Sequence, residues 1–256
     1  MGVDLDKLAK TVDEAARSAT AIPQLSESEN FSLDEAYEIQ AKSIQRRFDR
    51  GEVRVGMKMG FTSRAKMVQM GVDDMIWGRL TDGMLVEDGD VIDFAQYVHP
   101  RVEPEVAFLL KAPLEGPVTP IQAMAAVEAM APALEIIDSR YKDFKFSVED
   151  VVADNSSSSG FVVGNWCRPD QDIANRGMVM EFNGRPVQIG SSAAILGNPA
   201  RSLVTASRMV TEHGERLEAG WIVMAGGATA AEALSPGVSV RNTVEGLGKV
   251  GFGVTG

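Results

Sequence analysis

The sequence predicts an α+β fold, with a helical N-terminal segment (residues 1–52) set on a mainly antiparallel β-rich core (residues 53–256). Three observations carry this. Apolar residues recur at helical spacing through the first fifty positions. The last third holds short apolar runs separated by turn signals. Strands and helices do not alternate regularly, as a doubly wound sheet would require.

Val3, Leu5, Leu8, Val12, Ala15 and Ala16 mark one face of a first helix. Ser32 with Glu35 three residues on forms a capping box. Behind it Ala36, Ile39, Ile44 and Phe48 share a face, and Gly51 is placed to end the helix. Apolar runs at 53–59, 84–86 and 102–110 read as strands. Six of the 13 methionines fall between Met57 and Met84, which suits adaptable core packing. Thr119-Pro120-Ile121-Gln122 opens a helix expected to run to about Met130, and 134–138 reads as a buried strand. Asn183-Gly184 between 179–182 and 186–189 is a hairpin signal. Asn198-Pro199 starts a further helix that Gly214 closes, and strands follow at 221–225, 238–244 and 250–254. Gly246-Leu247-Gly248-Lys249-Val250-Gly251 matches G-x-G-x-x-G. A strand, not a helix, follows it, so it reads as a β-turn rather than a dinucleotide site.

Composition narrows the function. The net charge of -11 disfavours non-specific nucleic-acid binding, because phosphates would be repelled. One cysteine, Cys167, allows no intrachain disulfide and fits a reducing compartment. His99 and His213 are too few for a two- or three-histidine zinc site with a histidine base to spare, so any metal ligands are expected to be mostly oxygens and the metal hard, such as magnesium or manganese. No apolar stretch approaches the length of a membrane span, and the first residues lack a basic-then-apolar leader pattern. A cytoplasmic protein with no membrane partner is expected.

The chemistry gathers in three segments. In Arg101-Val102-Glu103-Pro104-Glu105, the two glutamates share a strand face, where one should be protonated unless a cation sits between them. Pro104 removes a donor and points to an edge or bulge. Glu135 interrupts the apolar run 134–137, where an unpaired carboxylate is costly, so it needs Arg140 or a shared metal. Spacing alone also allows each glutamate to face solvent or pair with an arginine. Lys58, between glycines and methionines, suits either a pocket lysine with a lowered pKa or a snorkelling surface lysine. Residues 153–160 form a polar loop able to supply hydroxyl and amide donors, or a solvated linker.

Together these segments resemble a known family. Gly56-Met57-Lys58-Met59-Gly60-Phe61-Thr62-Ser63, Ala65-Lys66-Met67, Gln69-Met70-Gly71, Glu103-Pro104-Glu105, the run from Leu134 to Tyr141, and Val152-Ala153-Asp154-Asn155-Ser156-Ser157 are similar to the 2-oxopent-4-enoate (vinylpyruvate) hydratases and 4-oxalocrotonate decarboxylases. Both belong to the fumarylacetoacetate-hydrolase-like superfamily, and the resemblance runs from the second helix to the final strands. It implies a mixed β-roll core, magnesium held by Glu103, Glu105 and Glu135, catalytic roles for Lys58 and Ser157, and no organic cofactor. It implies a small 2-oxo dicarboxylic acid as substrate, a homo-oligomer, and often a complex with the sister hydratase.

Ile76 discriminates within the family. Hydratases typically carry an aspartate there, in a Pro-Asp-Phe-Gly-like segment, whereas this chain has Met75-Ile76-Trp77-Gly78. Isoleucine removes a charge that would repel a second carboxylate, and it dries the pocket. The stretch 139–146 is similarly decarboxylase-like. Ile76, Arg140, Lys145, Asn155 and Thr229 are the candidate substrate contacts, with a surface ion pair the alternative for Lys145. The expected activity is therefore magnesium-dependent decarboxylation of 4-oxalocrotonate (2-oxohex-3-enedioate) in catechol meta-cleavage. The alternatives are a vinylpyruvate hydratase and a non-catalytic partner subunit that keeps the fold. A carbon–carbon hydrolase is disfavoured by the lack of a convincing histidine–carboxylate pair.

Overall fold

The computed structural model describes residues 2–63, 67–68, 71 and 73–256. Positions Ala65, Lys66, Gln69 and Met70 of the resemblance motif lie outside the described residues.

Two helices open the chain. Helix α1 (Leu5–Arg17) is capped by the Asp4 carboxylate, and α2 (Leu33–Phe48) starts at a complete capping box between Ser32 and Glu35. Gly51, at φ +101°, turns the chain out of α2. The apolar faces of both helices enter one core with Met57, Met59 and Trp77. The N-terminal segment thus shares the interior of the β-rich part.

Among the described residues thirteen strands follow, in two sheets. The larger contains β1 (Arg54–Gly60), β2 (Ile76–Thr81), β3 (Leu85–Val86), β5 (Arg101–Leu110), β6 (Val127–Ile137), β7 (Ser158–Val163), β10 (Ile222–Met224) and β11 (Glu232–Ala233). Its order is β2-β1-β10-β5-β6-β7-β3, with β11 also on β5. The smaller contains β4 (Val91–Asp93), β8 (Gly177–Phe182), β9 (Arg185–Ser191), β12 (Ser239–Val244) and β13 (Gly248–Thr255), in the order β4-β13-β12-β8-β9. Three pairs are parallel, β1 with β10, β13 with β4 and β3 with β7, and the rest are antiparallel. The α+β expectation holds.

Local chemistry explains the turns. Asn183 and Gly184 both adopt positive φ between β8 and β9, the geometry of a two-residue hairpin. Gly246, at φ +77°, lies in the β12–β13 connection, so the glycine-rich segment begins in a turn between antiparallel strands and runs from Gly248 on as β13 itself. Helix α5 (Pro199–Glu212) starts at the Asn198 cap, and Gly214 follows it at φ +73°.

Three expectations need correction. The helix opened by Thr119, α3 (Pro120–Ala125), stops five residues before Met130. Residues from Val127 on pair with β5 instead, and this long ladder overrides local helix preference. Of the two readings of the polar run 153–160, the solvated linker is the one that fails. From Asn155 the run passes from a tight turn straight into β7, which is paired with β6, and it follows a short helix α4 (Val148–Ala153) that the sequence reading did not separate.

Pro104 is the third. It lies inside the sheet, not on an edge, opposite Leu134. Its other side faces a break: β10 pairs with β5 at Ala107–Leu109, β11 pairs at Arg101 and Val102, and neither reaches Pro104. The loop 225–228 fills that notch, with Ala225 and Ala228 donating to Val106 and Pro104 carbonyls. A proline is tolerated because no strand needs its missing N–H.

Alternation along β5 and β6 then divides the residues. Val102, Leu134 and Ile136 face the second sheet, packing with Met180, Val240, Val250, Phe252 and Val254. Arg101, Glu103, Glu105 and Glu135 fall on the opposite face, towards the helices.

Candidate active site

Glu103 and Glu135 stand directly opposite each other in the β5–β6 ladder, and Glu105 lies two residues further along β5 on the same face. All three are buried, Glu105 and Glu135 at 0% exposure. Each offers a carboxylate oxygen within 4.8 Å of the others. Lys58 reaches the same face from β1, and its Nζ lies 3.1 Å from Glu135 Oε2. The Gly226 amide donates to Glu105 Oε2 at 2.7 Å.

That leaves the cluster electrostatically unfinished. Among the described residues, Glu105 Oε1 and Glu135 Oε1 are buried with no hydrogen-bond partner. Burial, with the repulsion of Glu135 and Glu103 added, pushes Glu105 well above the usual carboxylate range, Lys58 and the Gly226 amide only partly opposing it. Burial likewise pushes Glu135 up against the pull of Lys58. Orphaned anionic oxygens converging in a dry interior fit a hard divalent cation, which would hold them ionised. Glycines make the room: a Cβ on Gly227 would sit 2.5 Å from Glu103 Oε2.

Beside the cluster opens a cavity of about 300 Å³. Its polar wall is Lys58, Arg101, Glu103, Ser156 and Ser157, and its apolar wall includes Phe61, Ile76, Ile137, Phe144, Phe146 and Val151. Ser157 Oγ is buried without a hydrogen-bond partner among the described residues. Larger clefts elsewhere are lined by none of the three glutamates. Neither His99 nor His213 lines the cavity; their rings bond the Tyr141 and Met209 carbonyls.

The turn carrying Ser157 is strained. Asn155, Ser156 and Ser157 all have φ between +50° and +59°, a region costly for residues with a Cβ. The surroundings hold it there. Asn155 Oδ1 accepts from the Arg79 amide at 2.8 Å and its Nδ2 donates to the Arg79 carbonyl at 2.9 Å. Ser156 Oγ donates to the Trp77 carbonyl at 2.8 Å. Arg140 donates through its amide and Nε to the buried Asp154 carboxylate, through Nη2 to the Asp154 carbonyl, and to Ser159 Oγ. Burial pushes Asp154 up to about 6, against the pull of Arg140.

These bonds revise the candidate contacts. Of Ile76, Arg140, Lys145, Asn155 and Thr229, only Ile76 lines the cavity. Arg140 has its guanidinium committed to Asp154 and the loop. Asn155 is a clamp with both side-chain ends used on β2. Lys145 is exposed, between Phe144 and Phe146, which do line the cavity. Thr229 donates to its neighbour Ala230, and its methyl packs towards Gly190. Lys58 and Ser157 both reach the cavity.

The sequence reading missed three supports. Gln40, on the apolar face of α2, donates to the Trp77 and Val152 carbonyls and accepts from Arg79, tying α2, β2 and α4 together. A polar residue on a buried helix face was the available signal. Arg101, which in sequence merely flanks the glutamates, lines the cavity. Gly78 lets the strained turn approach: a Cβ there would lie 2.5 Å from the Asn155 carbonyl oxygen. Gly78→Ala is therefore expected to displace Ser157 and lower kcat at least tenfold while magnesium affinity, measured by calorimetry, changes less than twofold, since overpacking of this kind costs about 1–3 kcal/mol.

Comparison with known proteins places this geometry. Residues 55–255 match the family described as fumarylacetoacetate (FAA) hydrolase C-terminal. The chain is 60% identical over 252 residues, 98% of both chains, to a 4-oxalocrotonate decarboxylase of a Pseudomonas species. It is 34% identical over 250 residues, 96% of this chain and 93% of the other, to a 2-keto-4-pentenoate hydratase of Paraburkholderia xenovorans. Among solved structures it superposes with a TM-score of 0.95 and 38% identity on 4-oxalocrotonate decarboxylase from Pseudomonas putida G7 complexed with magnesium and adipate, covering 98% of this chain and 97% of that one.

Proposed function

The chain belongs to the fumarylacetoacetate hydrolase family, and from that premise we infer a magnesium-dependent carboxy-lyase that converts 2-oxohex-3-enedioate (4-oxalocrotonate) to 2-hydroxypenta-2,4-dienoate and CO2. The observation that carries the choice of reaction is Ile76 in the wall of a largely apolar cavity that opens beside three clustered carboxylates.

Glu103, Glu105 and Glu135 are the residues proposed to hold the metal, manganese being the natural substitute. A divalent cation bound there supplies a Lewis acid for the carboxylate and carbonyl oxygens of a 2-oxo acid. Lys58, held by Glu135, is proposed to face the same oxygens and to stabilise the negative charge that gathers on the 2-oxo oxygen. Ser157 Oγ, with no partner of its own, is free to donate into the cavity. The C5–C6 bond breaks, its electron pair moves along the conjugated chain to the 2-oxo oxygen, CO2 leaves, and one proton completes the dienol. Phe61, Ile76, Ile137, Phe144, Phe146 and Val151 exclude water from the departing carboxylate, which favours the less polar transition state.

Hydration would need acid–base groups at the far end of the dienol. Among the described residues the only carboxylate on the cavity wall is Glu103, and no histidine lines it. Ile76→Asp tests this directly. A charge about 4 Å from the distal carboxylate at an effective dielectric near 20 is worth around 4 kcal/mol of repulsion. If a quarter survives screening, decarboxylation falls roughly fivefold. The readout is decarboxylation of the dicarboxylate relative to hydration of the dienol, in wild type and variant. An unchanged ratio, or a wild type that hydrates and releases no CO2, supports the hydratase instead.

A homo-oligomer is proposed on the resemblance to the family, and hand-over of the reactive dienol to a sister hydratase on the same resemblance and the reactivity of the product. Residues 1–52 are proposed as a helical buttress and 53–256 as the catalytic part. A cytoplasmic location is proposed on the free thiol of Cys167. Among the described residues no helix is long and apolar enough to cross a membrane.

A further inference from the structure

We propose that Arg101 selects dicarboxylic over monocarboxylic 2-oxo acids by binding the carboxylate at the end of the substrate remote from the metal ligands; this rests on the reaction proposed above. Arg101 lines the cavity together with Glu103 and Lys58. The two cations differ in commitment. Lys58 is paired with Glu135. The Arg101 side chain forms no ion pair or hydrogen bond among the described residues, and its guanidinium lies over the Phe144 ring, 4.6 Å from the centroid. Arg54, Arg79 and Arg140 are instead consumed by Glu215 and Asp154. Arg101 thus brings a positive charge, held by stacking, with its donors available to a ligand.

Its position supplies a length measure. Arg101 and Glu103 share a face of β5, two residues and so about 6.5 Å apart along the strand. An extended six-carbon dicarboxylate separates its carboxyl carbons by about 6 Å, from five carbon–carbon bonds near 1.5 Å each. A substrate whose 2-oxo acid end lies at the glutamates therefore carries its second carboxylate to the Arg101 end of the apolar wall. That bond exists in the bound substrate and is lost as CO2 forms. It strengthens binding without assisting bond cleavage.

The test compares 2-oxoadipate with 2-oxohexanoate, saturated ligands that share the 2-oxo acid end and differ in the distal carboxylate. Their binding to the magnesium-loaded enzyme is measured by calorimetry for wild type, Arg101→Gln and Arg101→Lys. Wild type should prefer 2-oxoadipate, and Arg101→Gln should cut that preference about tenfold or more while 2-oxohexanoate binds as before. In turnover the same variant should raise KM for 2-oxohex-3-enedioate about tenfold and lower kcat less than threefold. A wild type without the preference, or an Arg101→Gln protein that keeps it, overturns the proposal. If Arg101→Gln binds neither ligand, Arg101→Lys decides: a retained preference supports the assignment and loss of both ligands refutes it. Release of CO2 by wild type is scored separately, so a failed reaction assignment and a failed Arg101 assignment give different results.

Discussion

Glu105→Gln is expected to abolish magnesium binding at millimolar metal, lower decarboxylation about a thousandfold, and make the metal-free protein more stable. The three effects share one cause. Glu105 is fully buried, one of its oxygens has no partner, and its proton affinity is raised first by burial and then by Glu135 and Glu103. In the metal-free fold the ionised carboxylate is a liability, which glutamine removes. The folded state holds a proton that the unfolded chain gives up near its ordinary pKa. Wild-type apoprotein therefore loses stability as pH rises above about 4.5, up to the raised folded value. Glu105→Gln should flatten that decline. With metal present the sign reverses, because an anionic ligand is gone, and losing about 4 kcal/mol of charge stabilisation is near a thousandfold in rate. Thermal melts with and without magnesium, across pH 5 to 8, check both halves. A variant that is less stable without metal and binds magnesium normally would place Glu105 in the core and not in the metal site.

Lys58→Met should separate holding the metal from using it. Lys58 is 3% exposed and paired with Glu135, so methionine preserves volume and deletes the charge. Removing a cation beside the carboxylates should leave magnesium affinity equal or tighter. Activity should fall by about 10²–10³, the usual loss when a donor to developing oxyanion charge is removed. Without metal the variant leaves Glu135 buried and unpaired. It should be destabilised, by as much as about 3–5 kcal/mol if Glu135 stays ionised, and less if it takes up a proton. Calorimetric magnesium titration beside steady-state kinetics checks the divergence. Parallel losses of affinity and activity would make Lys58 a structural partner of Glu135 alone.

Much of this was legible in the sequence, for identifiable reasons. Local signals held where local chemistry decides. The Ser32–Glu35 capping box, the Asn183-Gly184 turn and the Gly246 turn need only a few neighbouring residues. The three glutamates were readable because period-2 spacing puts Glu103 and Glu105 on one face and because Glu135 breaks an apolar run. Their convergence depends on register, since Glu103 sits opposite Glu135 only through the β5–β6 ladder. What failed was non-local. Residues 127–130 became strand because β5 was there to pair. Pro104 escaped the edge rule because β10 and β11 end on either side of it. Arg140 and Asn155, polar and near the motif, looked like substrate contacts. Only the fold shows that Asp154 and the Arg79 backbone take up their donors and acceptors first. Arg101 carried no sequence signal beyond adjacency, because its availability depends on partners it lacks.

The most direct test is a single time course. Metal-stripped enzyme is reconstituted with magnesium and offered 2-oxohex-3-enedioate and, separately, 2-hydroxypenta-2,4-dienoate, with CO2 and the ultraviolet spectrum followed together. Magnesium-dependent CO2 release matched one-to-one by dienol formed is expected, with no enzyme-dependent consumption of the dienol when it is supplied alone. Loss of the dienol without CO2 from the dicarboxylate would contradict it.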